Sequence, residues 1–300
     1  MAPVELRHLR YLLAVAEHGS FTRAAEDLHV SQPTLSQQIR RLEKAVGLPL
    51  LERTARTVRP TDAGEVYLRH ARRAVRELAA AHRAVQDVQD LSLGSLRLGV
   101  TPTFTAYLVG PLLGALHAHH PGLRLTVSEA PQDHLEETLL AGDLDVGIGF
   151  LGAHAPGIGA EPLFTETLAL VTGADAPPSP DPVPVADLAG RDLALLGTEF
   201  ATRTRIDTYF AGQDVRPRVT VEADSVLALA EIVRGGPLAT VLPRAVAQDR
   251  PGLTALALDP PLPHRTAALL TRDGGYRSAA VRAFTALLHA HIGQRGLPPA

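Results

Sequence analysis

From Asp62 to Asp90 no proline interrupts the chain and the only glycine, Gly64, falls in the first turn, although the sequence holds 24 prolines and 25 glycines in all. A segment of that length free of breakers predicts one long helix, which divides the chain into a small head and a larger body. Asp62 followed by Glu65 has capping-box spacing, with aspartate in the Ser/Thr role. Tyr67, Ala71, Ala74, Leu78, Ala81, Val85 and Val88 step alternately by four and three residues. That is an a/d seam over three heptads, rich in alanine, and it predicts a homodimer zipped through this helix.

The head reads as three short helices and a hairpin. Leu6, Leu9, Leu13 and Ala16 recur at helical spacing up to His18-Gly19. Ser20 caps a second helix burying Phe21, Ala24, Ala25 and Leu28, and Ser31 caps a third burying Leu35, Ile39, Leu42 and Val46. Pro33 falls in the first turn of that third helix, where no amide donor is missed. Its other face presents Gln32, Thr34, Gln37, Arg40 and Arg41, with Ser36 flanking. Two tightly joined helices, the second polar at its start, are a helix-turn-helix. Glutamine pairs bidentately with adenine, and arginine reaches guanine or phosphate. Residues 50–53 and 57–59 flank Thr54-Ala55-Arg56 as a two-stranded wing tipped by arginine, a side chain drawn to the negative potential of a narrow minor groove.

Charge agrees with a basic head on an acidic body. Residues 1–94 hold 14 basic and 11 acidic side chains, and the remainder 15 and 21, within an overall net charge of −3. There is no cysteine, which excludes disulfides, thiolate nucleophiles and zinc-thiolate sites and fits a cytoplasmic chain. No apolar run is long enough to span a membrane, and the N-terminus lacks a signal-peptide core. His117, His119 and His120 gather at a helix end and His289 and His291 face different ways, so no metal is expected. No HExxH, P-loop or GxSxG motif supports an enzyme or a bound cofactor.

Residues 4–64, and above all SFTRAAEDLHVSQPTLSQQIRRLE and LLERTARTVRPTDAG, resemble the start of a LysR-type transcriptional regulator, with Leu51 where that family usually has phenylalanine. The resemblance implies that Gln32, Pro33, Thr34, Ser36 and Gln37 lie at the major groove of promoter DNA with Arg53 at the wing. It also implies a dimer that assembles into a homotetramer, and RNA polymerase as a partner where the regulator activates.

Beyond Leu93-Gly94-Ser95 the body alternates strand-like and helical runs. LRLGV (96–100), LRLTV (123–127) and LDVGIGF (144–150) alternate with helices at 106–120 and 132–141, which predicts a parallel βαβαβ sheet. After the proline-rich 177–184 come strands at 193–196, 219–221 and 238–242 with helices at 202–212 and 225–234. TAALL (266–270) and a helix at about 277–292 return to the first lobe. The expected fold is therefore α/β in three parts. These are a winged helix-turn-helix (1–61), a linker helix (62–92) and a two-lobed effector domain (93–300), with lobe I at about 93–163 and 265–300 and lobe II at about 164–264. Such a body resembles the type 2 periplasmic-binding-protein fold. EFATRTRIDTYF, VEADSVLALAEIVRGG and LATVLPRAV are most similar to the cyanate-responsive subgroup, with Asp224 where that subgroup shows asparagine. Strand ends nominate Thr101, Pro102, Thr103, Gln132, His134, Thr198, Phe200, Thr202 and Arg203 for a small anionic effector between the lobes. Two other classes, an extracytoplasmic solute-binding protein and an enzyme with a fused DNA-binding head, fit the body alone. The first lacks its signal peptide and the second its catalytic constellation.

Overall fold

The computed structural model describes residues 4–53, 57–89 and 94–300 and separates them into two compact units, one up to Val85 and one from Gln86 onward. The first unit contains α1 (Leu6–His18), α2 (Phe21–Asp27), α3 (Gln32–Val46), β1 (Leu51–Arg53), β2 (Val58–Pro60) and α4 (Asp62–Gln89), which runs on past Val85. Leu12, Val15, Phe21, Ala24, Leu35, Ile39, Leu42, Leu50 and Leu68 close its core. Gly19 and Gly47 end α1 and α3 in the left-handed region, which an L side chain enters at a cost. β1 and β2 pair antiparallel with Glu52 opposite Arg59.

The cap of α4 differs from expectation. Thr61 precedes the helix, and its Oγ1 accepts the Gly64 N–H at 3.0 Å while donating to the Pro49 carbonyl at 2.8 Å, so Asp62 is already the first helical residue. Gly64 has a reason that spacing does not reveal. A Cβ there would stand 1.9 Å from the Leu50 carbonyl oxygen, so glycine lets α4 start against the wing. The seam is also divided. Ala71 is buried and Tyr67 half-buried, Tyr67 packing on the head's own core, whereas Ala74, Leu78, Ala81 and Val85 are exposed. Arg56, residues 90–93 and the side chains of Arg53 and Val88 lie outside the described residues.

The second unit has two lobes. Lobe I is a five-stranded sheet of β3 (Ser95–Val100), β4 (Arg124–Glu129), β5 (Val146–Phe150), β6 (Ile158–Glu166) and β14 (Arg265–Arg272), in the order β4-β3-β5-β14-β6. β3 pairs parallel with β4 and β5, but β14 is antiparallel to β5 and β6, so the sheet is mixed rather than parallel. Its helices are α5 (Pro102–Phe104), a π-helical turn at Thr105–Val109, α6 (Gly110–His119), α7 (Gln132–Ala141) and, at the chain's end, α11 (Ala279–Gln294). Lobe II contains β7 (Leu168–Gly173), β8 (Val183–Pro184), β9 (Asp192–Leu196), β10 (Arg218–Ala223), β11 (Thr240–Pro243), β12 (Leu253–Leu256) and β13 (Leu258–Asp259). Here β11-β7-β12 form an antiparallel sheet, β9 and β10 pair parallel, and β8 and β13 form a short parallel pair. The Ala194 N–H donates to the Ala239 carbonyl at 2.9 Å and so joins β9 to the approach to β11. α8 (Ala201–Gly212), α9 (Val226–Arg234) and α10 (Arg244–Gln248) cover these strands.

Strands β6, β7 and β12 have no counterpart in the sequence pattern. β6 runs on to Glu166, so the chain crosses between lobes at Thr167, a little beyond residue 164, and returns at His264 immediately before β14. The Thr167 Oγ1 and His264 Nδ1 stand 3.5 Å apart, which puts the two crossings side by side.

Candidate nucleic-acid interface and inter-lobe site

The start of α3 is fixed by Ser31, whose Oγ accepts the Thr34 N–H at 3.3 Å and lies 2.7 Å from Thr34 Oγ1. From that start Gln32, Pro33, Thr34, Gln37, Arg40 and Arg41 are exposed. Ser36 differs, being only 9% exposed, because it follows Leu35 and precedes Ile39 by three residues, which sets it at the edge of the stripe that buries them. Gln38 is turned inward. The His8 Nδ1 accepts the Glu5 N–H at 3.1 Å, so its Nε2 carries the proton and donates to Gln38 Oε1 at 3.0 Å. This buried bond holds the start of α1 to the middle of α3.

The wing is set against α3 by a residue that pattern reading missed. Glu43 Oε1 accepts the N–H groups of both Leu50 (2.9 Å) and Leu51 (3.1 Å). The Val58 N–H donates to the Gly19 carbonyl at 3.0 Å and anchors the second wing strand to the end of α1. Arg59 is exposed on β2, and Arg53 ends β1.

In the second unit the strand ends gather as follows. Thr101, Pro102 and Thr103 are buried beyond β3, and the hydroxyls of Thr101 and Thr103 have no hydrogen-bond partner. Phe104 meets Phe150 at 4.9 Å between ring centroids. Gln132 clamps the end of β5, its Oε1 accepting the Phe150 N–H at 2.8 Å and its Nε2 donating to the Phe150 carbonyl at 3.1 Å. The same side chain reaches Glu136, which in turn holds His154 Nδ1 at 2.7 Å and accepts the Ala155 N–H at 2.8 Å. Thr198 is exposed, Phe200 is buried before α8, and His134 is exposed and pairs with Glu137.

Arg203 is not the cleft-facing cation expected of it. Its Nε donates to both Asp207 carboxylate oxygens at 3.0 Å, and its Nη1 donates to the Leu196 carbonyl at 2.8 Å and to Glu222 Oε1 at 2.9 Å. These contacts tie α8 to β9 and β10 and spend the charge. Another arginine holds the place between the lobes. Arg265 starts β14 opposite Glu166, the end of β6, and its Nε pairs with Glu166 Oε2. Its Nη1 donates across to Thr202 Oγ1 in lobe II at 2.6 Å, and the guanidinium stacks 3.9 Å over the Phe150 ring. The Tyr107 hydroxyl, from the π-helical turn, donates to Glu166 Oε1 at 2.6 Å. Burial, and secondarily the Glu166 charge, hold that phenol well above its usual pKa, so it stays a donor at physiological pH. A groove of about 700 Å³ opens nearby, lined by Pro131, Gln132 and Asp133 of lobe I, Glu199 and Arg205 of lobe II, and Pro263. Among the described residues no helix is long and apolar enough to cross a membrane, and no cluster of three or more His, Asp or Glu offers a metal site.

Comparison with known proteins accounts for both units. Residues 6–65 match the bacterial regulatory helix-turn-helix protein, lysR family, and residues 89–293 match the LysR substrate binding domain. The chain is 34% identical over 275 residues to the DNA-binding transcriptional dual regulator OxyR of Escherichia coli K12, covering 90% of each protein. It is also 34% identical over 248 residues to the nitrogen assimilation regulatory protein nac of Klebsiella aerogenes, covering 82% of this chain and 80% of that one. The structure of a full-length OxyR variant from Pseudomonas aeruginosa superposes with a TM-score of 0.73 at 27% identity over 97% of this chain and 96% of the other. That of full-length CbnR complexed with its target DNA superposes at 0.70, with 24% identity over 96% and 100%, and shows the shared fold. None of these named relatives is a cyanate regulator, so the subgroup suggested by residues 199–246 gains no support from them. The winged head, the long helix and the two-lobed α/β domain are those of a DNA-binding transcriptional regulator, not an enzyme, and the chain belongs to the LysR family.

Proposed function

We propose that this regulator binds promoter DNA as a homodimer, two of which form a tetramer on the operator, and that a small effector held between the lobes changes how it sits there. The observation that carries the DNA-contact reading is the exposure of Gln32, Thr34, Gln37 and Arg40 together on the first half of α3. Gln32, Pro33, Thr34 and Gln37 read base edges, Arg40 meets the backbone, and Arg53, Arg56 and Arg59 of the wing follow the adjoining groove. Ala74, Leu78, Ala81 and Val85 are the part of the seam exposed for a second copy, and Val88 continues it in sequence. The parts divide at 1–61, 62–92 and 93–300, and the regulator works in the cytoplasm, contacting RNA polymerase where it activates.

The effector is compact, since Thr101, Thr103, Phe200 and Thr202 are all at least nine-tenths buried. Cyanate is one such species, suggested by residues 199–246. A relative's name refers to hydrogen peroxide, but this chain has no cysteine, so its effector is bound and not consumed by a thiol. Mobility-shift titration on the DNA beside its own gene tests the reading. Gln37→Ala relaxes preference at one base pair at a cost of about 1–3 kcal/mol. Arg53→Ala weakens binding to all sequences and flattens the salt dependence. Wild-type affinity in both variants refutes the assignment.

A further inference from the structure

Gln38 is only half accounted for by the core of the head. It is 9% exposed, and its Oε1 accepts from His8 Nε2 at 3.0 Å. Which end of this amide faces the ring follows from the backbone. His8 Nδ1 accepts the Glu5 N–H at 3.1 Å, so the ring proton is on Nε2 and only an oxygen can face it. The Gln38 Nε2, with its two N–H donors, is therefore the free end, and among the described residues it has no hydrogen-bond partner. Unlike the orphaned hydroxyls of Thr101 and Thr103, it is not sealed from solvent. Once a partner covers α3, donors held in this way cost free energy unless that partner supplies an acceptor.

Helix geometry says where the acceptor lies. Each residue turns α3 by about 100°, so Gln38 stands a quarter-turn or so round from the exposed Gln37, between that face and the buried Leu35 and Ile39. Thr34, four residues before it, and Arg41, three after, are exposed on the same flank, whereas Ser36 and Arg40 lie on the other. A helix in the major groove meets base edges with its leading face and the two sugar–phosphate walls with its flanks. The acceptor for Gln38 is thus a phosphate oxygen, and Arg41 supplies the charge that draws that strand in. Glu5, the acid beside His8 at the start of α1, is itself paired with Arg7 at 2.9 Å, which limits its repulsion of the backbone.

We infer that Gln38 Nε2 donates to a phosphate of the operator strand that runs along the Thr34–Arg41 flank of α3, with His8 as the positioning residue that fixes its amide. This rests on the reading of α3 as the groove-entering helix and adds a backbone contact to it. The consequence is register. Through His8 the amide is referred to the first turn of α1, so the phosphate is gripped in the frame of the whole head. Gln37, the adjacent residue, then meets its base pair at a fixed depth.

The test uses the full chain and its operator, located by footprinting on the DNA beside its own gene, with single methylphosphonates placed in turn along each strand. Each substitution removes the charge of one phosphate and leaves the bases untouched. Wild type loses on the order of tenfold in affinity at the phosphate that Gln38 meets, as for a hydrogen bond to a charged acceptor. Gln38→Ala is insensitive at that phosphate, and keeps its sensitivity elsewhere and the wild-type base preference. Gln38→Glu retains the acceptor for His8 but replaces the donors by a negative charge. It melts as wild type does and binds every sequence on the order of tenfold or more weakly. His8→Phe leaves Gln38 present but unheld and loses part of the sensitivity at the same phosphate. Because the scan compares positions within one protein, a variant of lower stability still yields its pattern. A role confined to the core predicts wild-type DNA affinity in Gln38→Glu and superimposable scans for wild type and Gln38→Ala, and either result overturns the inference. An altered base preference in Gln38→Ala overturns it in favour of a base-edge contact, and full sensitivity in His8→Phe overturns the positioning role. A wild-type scan with no sensitive phosphate beside the base pair that Gln37 selects sinks the α3 reading instead.

Discussion

Replacing Glu43 separates what holds the wing from what holds the head together. One carboxylate oxygen accepts two backbone N–H groups, of Leu50 at 2.9 Å and Leu51 at 3.1 Å, and Leu50 is fully buried. Hydrogen bonds to a charged acceptor contribute about 1.5–3 kcal/mol each, and the half-buried position of Glu43 lets water recover part of that. Glu43→Ala therefore costs about 2–3 kcal/mol at the junction of α3 and β1. Glu43→Gln keeps an acceptor oxygen at the same reach and loses only the charge, so it costs about 1 kcal/mol. Amide hydrogen exchange reads this locally. Protection of the Leu50 and Leu51 amides falls on the order of 30- to 100-fold in Glu43→Ala, by the rule that about 1.4 kcal/mol is a factor of ten, and less than about tenfold in Glu43→Gln. Affinity for DNA falls in the same order, since the wing loses its fixed angle to α3. Unchanged protection at both amides in Glu43→Ala, or equal damage from Gln and Ala, refutes this account of the wing.

Leu78→Asp sets a charge into an exposed apolar position of α4 and should give monomers by analytical ultracentrifugation, an undisturbed dimer counting against the seam. Gly64→Ala forces a methyl to within 1.9 Å of a backbone carbonyl. It should destabilise the head by about 3 kcal/mol or more in urea unfolding, with a neutral result showing that α4 does not start against Leu50. Ser31→Ala removes the cap of α3 and should lower stability by about 1 kcal/mol in thermal denaturation. A melting temperature equal to wild type means that another group takes the Thr34 amide.

The head was legible because its punctuation is local. Ser20, Ser31, Gly19 and Gly47 each announce a helix end through their own chemistry, and apolar residues between them keep one period. What escaped depends on partners distant in sequence. Thr61 replaced Asp62 as the cap because its hydroxyl also reaches Pro49, and Gly64 was explained only by the approach of Leu50. β6 and β7 are separated by a single residue, so the stretch from Ile158 to Gly173 carries no turn signal at which to divide it between two sheets. In the candidate site, Thr101, Thr103, Phe200 and Thr202 could be nominated from strand ends, since position after a strand is a sequence property, and all four are buried there. Arg203, nominated for the site, is bonded within lobe II, while Arg265, which reaches Thr202 across the lobes, was not nominated. An arginine's role is set by which carboxylates lie near it: Asp207 stands only four residues from Arg203 on α8 and was open to reading, whereas Glu222 and Glu166 are brought in by the fold, from 19 and 99 residues away.

The two passages of the chain between lobes, at Thr167 and His264, lie next to each other, and the Glu166–Arg265 pair sits one residue from each. Such a pair occupies the axle of any rotation of one lobe on the other, where displacement is least, while the groove rim at Asp133 and Gln213 occupies the circumference. Grip and leverage are then separate properties of the domain. The axle can be dry, tightly bonded and rigid without stiffening the rim, and side chains at the rim can change how far the lobes travel without altering how firmly the crossings are held together.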